Sequence, residues 1–210
     1  MAIIHQATLS PSKLEMLAEY LPTIEPLAEH VGSDLSQIGS YRFDDPAGEV
    51  GIETHILTGS SGAVLQIPLT YRNEPLEGAA AWLLGSMQHS VLGTRWVYEA
   101  CGDIVYAGEL VRVILTGGTQ VALMVQTPDG PVERKPTITV QGTGSTDEAP
   151  KSPITRVTAQ RVGTTTRIDT GDYVVVVRHV LDEDWTDDGS RTLMGTWATM
   201  TEPTTLAFLA

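Results

Sequence analysis

The chain has 210 residues, 41% of them hydrophobic, enough to bury a real core in one elaborate domain or two small ones. Thirteen Lys and Arg stand against 26 Asp and Glu, a net charge of −13, and the scattered basic residues form no patch, which excludes nucleic acid and anionic membranes as expected partners. A single cysteine excludes an intrachain disulfide and suits a reducing compartment.

The N-terminal "MAIIHQATLSPSK" has no basic segment leading into a long apolar run, and nothing later approaches the roughly 20 apolar residues of a membrane span. The expected location is the cytoplasm. "SPSKLEMLAEYLP" predicts a short amphipathic helix, with Ser10 as N-cap, Leu14, Leu17, Ala18 and Leu21 at helical spacing, and Pro22 as its stop. A turn over residues 44–48 leads into a strand with Val50, Ile52, Thr54 and Ile56 on one face and Glu53 and His55 on the other. "AVLQIPLTYR" alternates again, and Pro68 predicts an edge strand or a bulge. The apolar run "AAAWLLGSM" fits a strand or a helix equally.

The strongest helix pattern is "CGDIVYAGELVRVILTGG": Asp103 is the expected N-cap, Ala107, Leu110, Val111 and Ile114 form one stripe, and Gly117 and Gly118 end it. "QVALMVQT" and "TITVQG" read as strands around a turn, "PDGPVERKP". "TGSTDEAPKSP" has no apolar anchor and reads as a linker, after which "TRVTAQRV", "TTTRIDTGDYVVVVRHV", "TLMGTWATM" and "TLAFLA" read as successive strands. The expected fold is α+β: a curved, mostly antiparallel sheet with one main central helix over residues 1–142, a linker at 143–152 and a small β-rich part over 153–210.

The stretch from Met87 to Leu110 gathers reactive residue types, and the bland reading fits it best. His89 beside Ser90 lacks a nucleophile elbow and reads as a turn. Asp103 reads as a cap and Cys101 as a buried, inert thiol. Trp96, Tyr98 and Tyr106 are candidate platforms for a sugar ring, as are Trp82 and Trp185, against the plainer role of filling a core. "LDEDWTDDGSR" carries five carboxylates, but counted from Asp182 the sixth and twelfth positions hold Asp187 and Leu193, and from Asp184 they hold Gly189 and Gly195. Neither register makes a calcium loop. The glycines of "LTGGTQ" and "QGTGST" lack a phosphate-loop pattern and read as turns and flexible connections. Five histidines and one cysteine show no paired metal-ligand spacing, so neither a metal nor a cofactor is expected.

"FDDPAGEVGIETH", "IPLTYRNEPLEGA" and "MQHSVLGTRWVYEACGDIVY" resemble the N-terminal cap of bacterial maltokinases and the related glucosamine kinases, a likeness that extends over about residues 1–118. The resemblance implies a small curved-sheet subdomain of the kind that packs beside an ATP-binding lobe. "RVTAQRVGTTTRIDTGDYVVVVRHV" resembles the first hairpin of that lobe. In those kinases a lysine on a following strand pairs with the phosphates. Val176 or Val177 falls at that position here, with Arg178 as the nearest substitute. With Ala210 as the last residue, no catalytic loop or metal-binding aspartate is expected to follow. The expectation is a non-catalytic binding or regulatory module of cytoplasmic carbohydrate metabolism, partnered by a protein of glycogen or maltose metabolism. Its rivals are a sugar-binding protein with an aromatic groove and an enzyme of unrecognised chemistry.

Overall fold

The computed structural model describes residues 2–4, 7–32, 34–127, 130–182 and 191–210. Two short strands, β1 (Ala2–Ile4) and β2 (Leu9–Ser10), precede the first helix, α1 (Lys13–Tyr20). Its N-cap is Ser12 and not Ser10. The Ser12 hydroxyl accepts from the Glu15 backbone N–H while the Glu15 carboxylate accepts from the Ser12 N–H, a closed capping box; Ser10 is committed to pairing in β2. Pro22 does stop this helix, but after a 3-10 turn a second helix, α2 (Glu25–Val31), starts with Pro26 in its first turn.

The strands β3 (Ser36–Asp44), β4 (Gly51–Thr58), β5 (Val64–Arg72), β6 (Leu83–His89) and β7 (Gly93–Glu99) follow. With β2 they form a six-stranded antiparallel sheet in the order β2-β6-β7-β5-β4-β3. The apolar run at 79–87 resolves into a 3-10 turn and β6. β5 is central and not an edge. Pro68 is tolerated because it sits at a gap on one side of β5: the ladder to β7 covers only Leu69–Arg72, and two residues before the proline the Gln66 N–H turns to the His179 carbonyl instead.

The main helix is α3 (Ile104–Thr116), capped by the Asp103 carboxylate on the Val105 N–H and ended by Gly117 in the left-handed conformation, as its sequence predicts. β8 (Leu123–Thr127) and β9 (Gly130–Arg134) then pair with β1 in a small sheet, β1-β8-β9. β9 falls inside the segment expected to be a turn. It is an edge strand whose proline and charged side chains hide its pattern. The second six-stranded sheet comprises β10 (Ile138–Gly142), β11 (Thr158–Val162), β12 (Thr165–Asp169), β13 (Val174–Arg178), β14 (Thr192–Trp197) and β15 (Thr204–Leu209), in the order β10-β14-β15-β13-β12-β11. β10, on the N-terminal side of the expected linker, therefore pairs with strands beyond it.

The architecture is α+β, mostly antiparallel, with a curled sheet. Helix α3 brings Tyr106, Leu110, Val111 and Ile114 into one core shared with Tyr41, Phe43 and Ile52 of the first sheet and Ile138, Val175, Val177 and Leu193 of the second. The other face of the first sheet packs Leu57, Leu65, Ile67 and Leu69 against Met16 and Leu17 of α1 and Leu27 and Val31 of α2. Among the described residues no helix is long and apolar enough to cross a membrane.

Candidate functional site

Strict alternation in β4 predicts a polar face for Glu53 and His55, yet both are buried, at 6% and 1% exposure. The cause is α1, which lies across that face of the sheet and covers it. Antiparallel register sets Arg42 opposite Glu53 and Ser40 opposite His55 on the same face. The Arg42 guanidinium donates to Glu53 Oε2 at 2.7 Å and the Ser40 hydroxyl to Oε1 at 3.0 Å. Lys13, in the first turn of α1, pairs with Oε2 as well and stands 5.1 Å above the centre of the Tyr71 ring. His55 Nε2 lies 3.2 Å from the Tyr71 hydroxyl and 4.0 Å from Glu53.

Burial alone would raise the Glu53 pKa. The charges of its neighbours, Lys13 and Arg42 among them, outweigh it and hold the carboxyl well below the usual carboxylate range. Burial also dominates at His55, where it outweighs the pull of Glu53 and lowers the imidazole to about 4. Burial lowers Lys13 too, against the pull of Glu53. At neutral pH the network is therefore an ionised carboxylate, paired with Lys13 and Arg42, beside a neutral histidine. A carboxylate so firmly ionised is a poor base; it is a fixed acceptor.

Lys13, Arg42 and Tyr71 of this network also line a cleft of about 660 Å³, within the range of small-molecule sites, whereas Glu53 and His55 do not reach it. Its lining is mixed in charge, with Lys13, Arg42 and Arg95 on one side of the balance and Asp44, Asp45 and Glu49 on the other. Asp45 shapes the rim: its carboxylate accepts from the backbone N–H groups of Ala47, Glu49 and Val50, closing the turn before β4. The Arg95 guanidinium makes no hydrogen bond or ion pair among the described residues. Tyr71 and Phe43 supply aromatic rings to the cleft.

The aromatic residues singled out from sequence lie elsewhere. Tyr106 is fully buried in the core against α3's neighbours, and Tyr98 is 2% exposed with its hydroxyl accepting the Leu76 N–H. Trp96 is half-buried on β7 and does not line the cleft. Trp82 is half-buried, packed over Gly102, with the Arg161 guanidinium 4.2 Å from its ring centre. Trp185 and most of the acidic loop, residues 183–190, lie outside the described residues. His89 serves its own turn, its Nδ1 accepting from Val91 and Leu92 N–H, and the Ser90 hydroxyl accepts from Thr8. Cys101 is fully buried. Arg178 is buried too and donates to the Thr205 carbonyl at 2.9 Å, so its charge serves the main chain inside the second sheet and does not replace a phosphate-binding lysine. Sequence reasoning missed the cleft because its floor comes from four separate segments. The one legible signal was a glutamate and a histidine on the polar side of a strand followed, in space, by an apolar helix.

Residues 27–103 match the family described as the maltokinase N-terminal cap domain. That span holds Arg42, Glu53, His55 and Tyr71, while Lys13 precedes it. No curated protein matches the chain.

Proposed function

We propose that this chain is a maltokinase-cap-like, non-catalytic binding module that holds a small hydroxyl-rich ligand, of the sugar class, in the cleft lined by Arg42, Tyr71 and Arg95. The observation that carries the reading is the mixed lining of that cleft, where Asp44, Asp45 and Glu49 share one space with Lys13, Arg42 and Arg95. Neutral polyols are recognised by alternating donors and acceptors, with carboxylates and guanidinium groups spanning neighbouring hydroxyls, and by one ring face. Arg95, Asp44, Asp45 and Tyr71 supply those types at the cleft wall. A uniformly basic lining would favour phosphate, and this one is balanced. The non-catalytic part rests on the likeness of residues 27–103 to a cap domain. In the same reading the module works beside a protein of glycogen or maltose metabolism, the direction in which the cap likeness points.

The test is calorimetric titration of maltose and glucosamine into the purified chain, alongside incubation with Mg-ATP and each sugar. The expected result is saturable binding of at least one sugar and no phosphosugar. Arg95→Ala should weaken binding about tenfold or more without shifting Tm, since the guanidinium carries no structural bond. Binding indifferent to Arg95→Ala, no saturable binding of either sugar, or turnover with ATP would each overturn the proposal.

A further inference from the structure

Glu99 ends β7, Cys101 sits in the 3-10 turn Ala100–Gly102 that leads into α3, and His179 follows β13. They are 1%, 0% and 1% exposed. Their carboxylate oxygen, sulfur and imidazole nitrogen lie within 4.8 Å of one another. Neighbours aim each of the two distant groups. The Arg161 guanidinium and the Tyr20 hydroxyl donate to Glu99 Oε2, at 2.6 and 3.0 Å, which turns Oε1 inward. Oε1 then stands 3.6 Å from His179 Nε2, buried and without a hydrogen-bond partner among the described residues. His179 Nδ1 is 3.0 Å from the Gln66 carbonyl oxygen, which only accepts, so the ring proton sits on Nδ1 and Nε2 offers its lone pair to the cluster. The Thr166 hydroxyl, 2.8 Å from Nε2, completes the surround.

A buried carboxylate oxygen with no donor costs free energy, and native structures leave few such groups without a reason. Here the orphan points at a sulfur and at a nitrogen lone pair, and all three are acceptors once the thiol is deprotonated. Three convergent acceptors with their outer partners in place are what a cation needs.

We propose that Glu99 Oε1, Cys101 Sγ and His179 Nε2 bind a divalent cation of the zinc class, fastening the segment after β13 to the end of β7. The ligand set of one sulfur, one nitrogen and one oxygen suits zinc or cobalt and disfavours magnesium or calcium. Tetrahedral bonds of about 2.0–2.3 Å bring ligand atoms roughly 3.3–3.7 Å apart; Oε1 and Nε2 already stand at 3.6 Å, and Sγ has at most about an ångström to close. On binding, the Cys101 S–H bond breaks, its proton goes to solvent, and the thiolate and carboxylate set two negative charges against those of the ion and of Arg161. Arg161 keeps its bond to Oε2. Thr166 gives up its bond to Nε2 and lies beside the fourth position. None of the three ligands lines the cleft, so this site and the sugar reading stand or fall separately.

The test uses the full chain, stripped of metal with a chelator and titrated with Co²⁺. Cys101 is the sole cysteine, so a thiolate-to-cobalt charge-transfer band reports this site and no other. The expected result is that band at one cobalt per chain, with the intense visible bands of a tetrahedral ion, both displaced by zinc. His179→Ala and Glu99→Gln should weaken cobalt binding roughly ten- to a hundredfold. Absence of the charge-transfer band under saturating cobalt overturns the proposal, whatever binds at surface carboxylates. If a variant does not fold, the wild-type spectrum and stoichiometry decide by themselves.

Discussion

At the scale of the residue, His55 carries a consequence that can be read by titration. It is buried on the face of β4 that α1 covers, touching the Tyr71 hydroxyl and Glu53, with Lys13 and Arg42 pressing on the same carboxylate. Burial sets its pKa at about 4 against an ordinary value near 6.5. Between those values the unfolded chain takes up a proton that the folded chain refuses, so stability falls as pH drops from about 6.5 to 4. The full window is worth roughly 3 kcal/mol. Glu53 adds to the fall only below its own unfolded value of about 4.5, because its folded pKa is depressed. Urea unfolding at pH 7 and pH 5 should therefore show a loss of about 2 kcal/mol in the wild type and a clearly smaller loss in His55→Gln. Equal losses in the two proteins would mean that His55 is not held neutral in the fold.

At the scale of the element, α3 and the strand beside it make opposite demands on glycine. Gly108 lies mid-helix, and a methyl group added there meets nothing within 4 Å. Gly108→Ala should stabilise the protein by about 0.5–1 kcal/mol, the ordinary helical difference between the two residues. Gly142 ends β10 where it crosses the end of α3. Its N–H donates to the Gly118 carbonyl, and a Cβ there would collide with the Val113 carbonyl oxygen. Gly142→Ala should cost about 1–3 kcal/mol. Thermal or urea unfolding of both variants settles the pair; a neutral Gly142→Ala would show that the strand can slide off the helix.

This contrast also marks where the sequence was legible. The apolar stripe, the Asp103 cap and the terminal glycines of α3 are local features, and they predict the helix to within a residue of its observed ends. "QGTGST" offers only local glycines, which read as slack. Their reason is the carbonyls of α3 some 28 residues earlier, which no window along the chain contains. The same limit hid the buried network beside the cleft. Glu53 looked solvent-facing because β4 alternates, and only the docking of α1 reverses that. It hid the Glu99, Cys101 and His179 cluster too, since a histidine far from the other two has no spacing to recognise.

At the scale of the whole molecule, the question is whether residues 1–142 can stand without the rest. Gln66 argues that they cannot. Its side-chain nitrogen donates to the carbonyls of Arg178 and Leu206, at 2.8 and 2.9 Å, its Oε1 accepts from Tyr41, its backbone N–H donates to the His179 carbonyl, and its backbone carbonyl accepts from the His179 ring. The Leu181 N–H donates to the Val64 carbonyl, and Arg161 of β11 neutralises the buried Glu99 of β7. Removing residues 143–210 would strip β10 of its sheet neighbour β14 and leave Glu99 buried without the Arg161 cation. It would also expose the face of α3 that packs on Val175, Val177 and Leu193. Each unpaired buried polar group costs about 1–3 kcal/mol, and together they approach the whole stability of a typical domain. A fragment of residues 1–142 should therefore lack a dispersed amide NMR spectrum and a cooperative urea transition, while the full chain unfolds in one transition by both far-ultraviolet dichroism and tryptophan fluorescence. A folded, cooperative fragment would show that the first sheet and α3 carry their own core and that the second sheet is an addition to it.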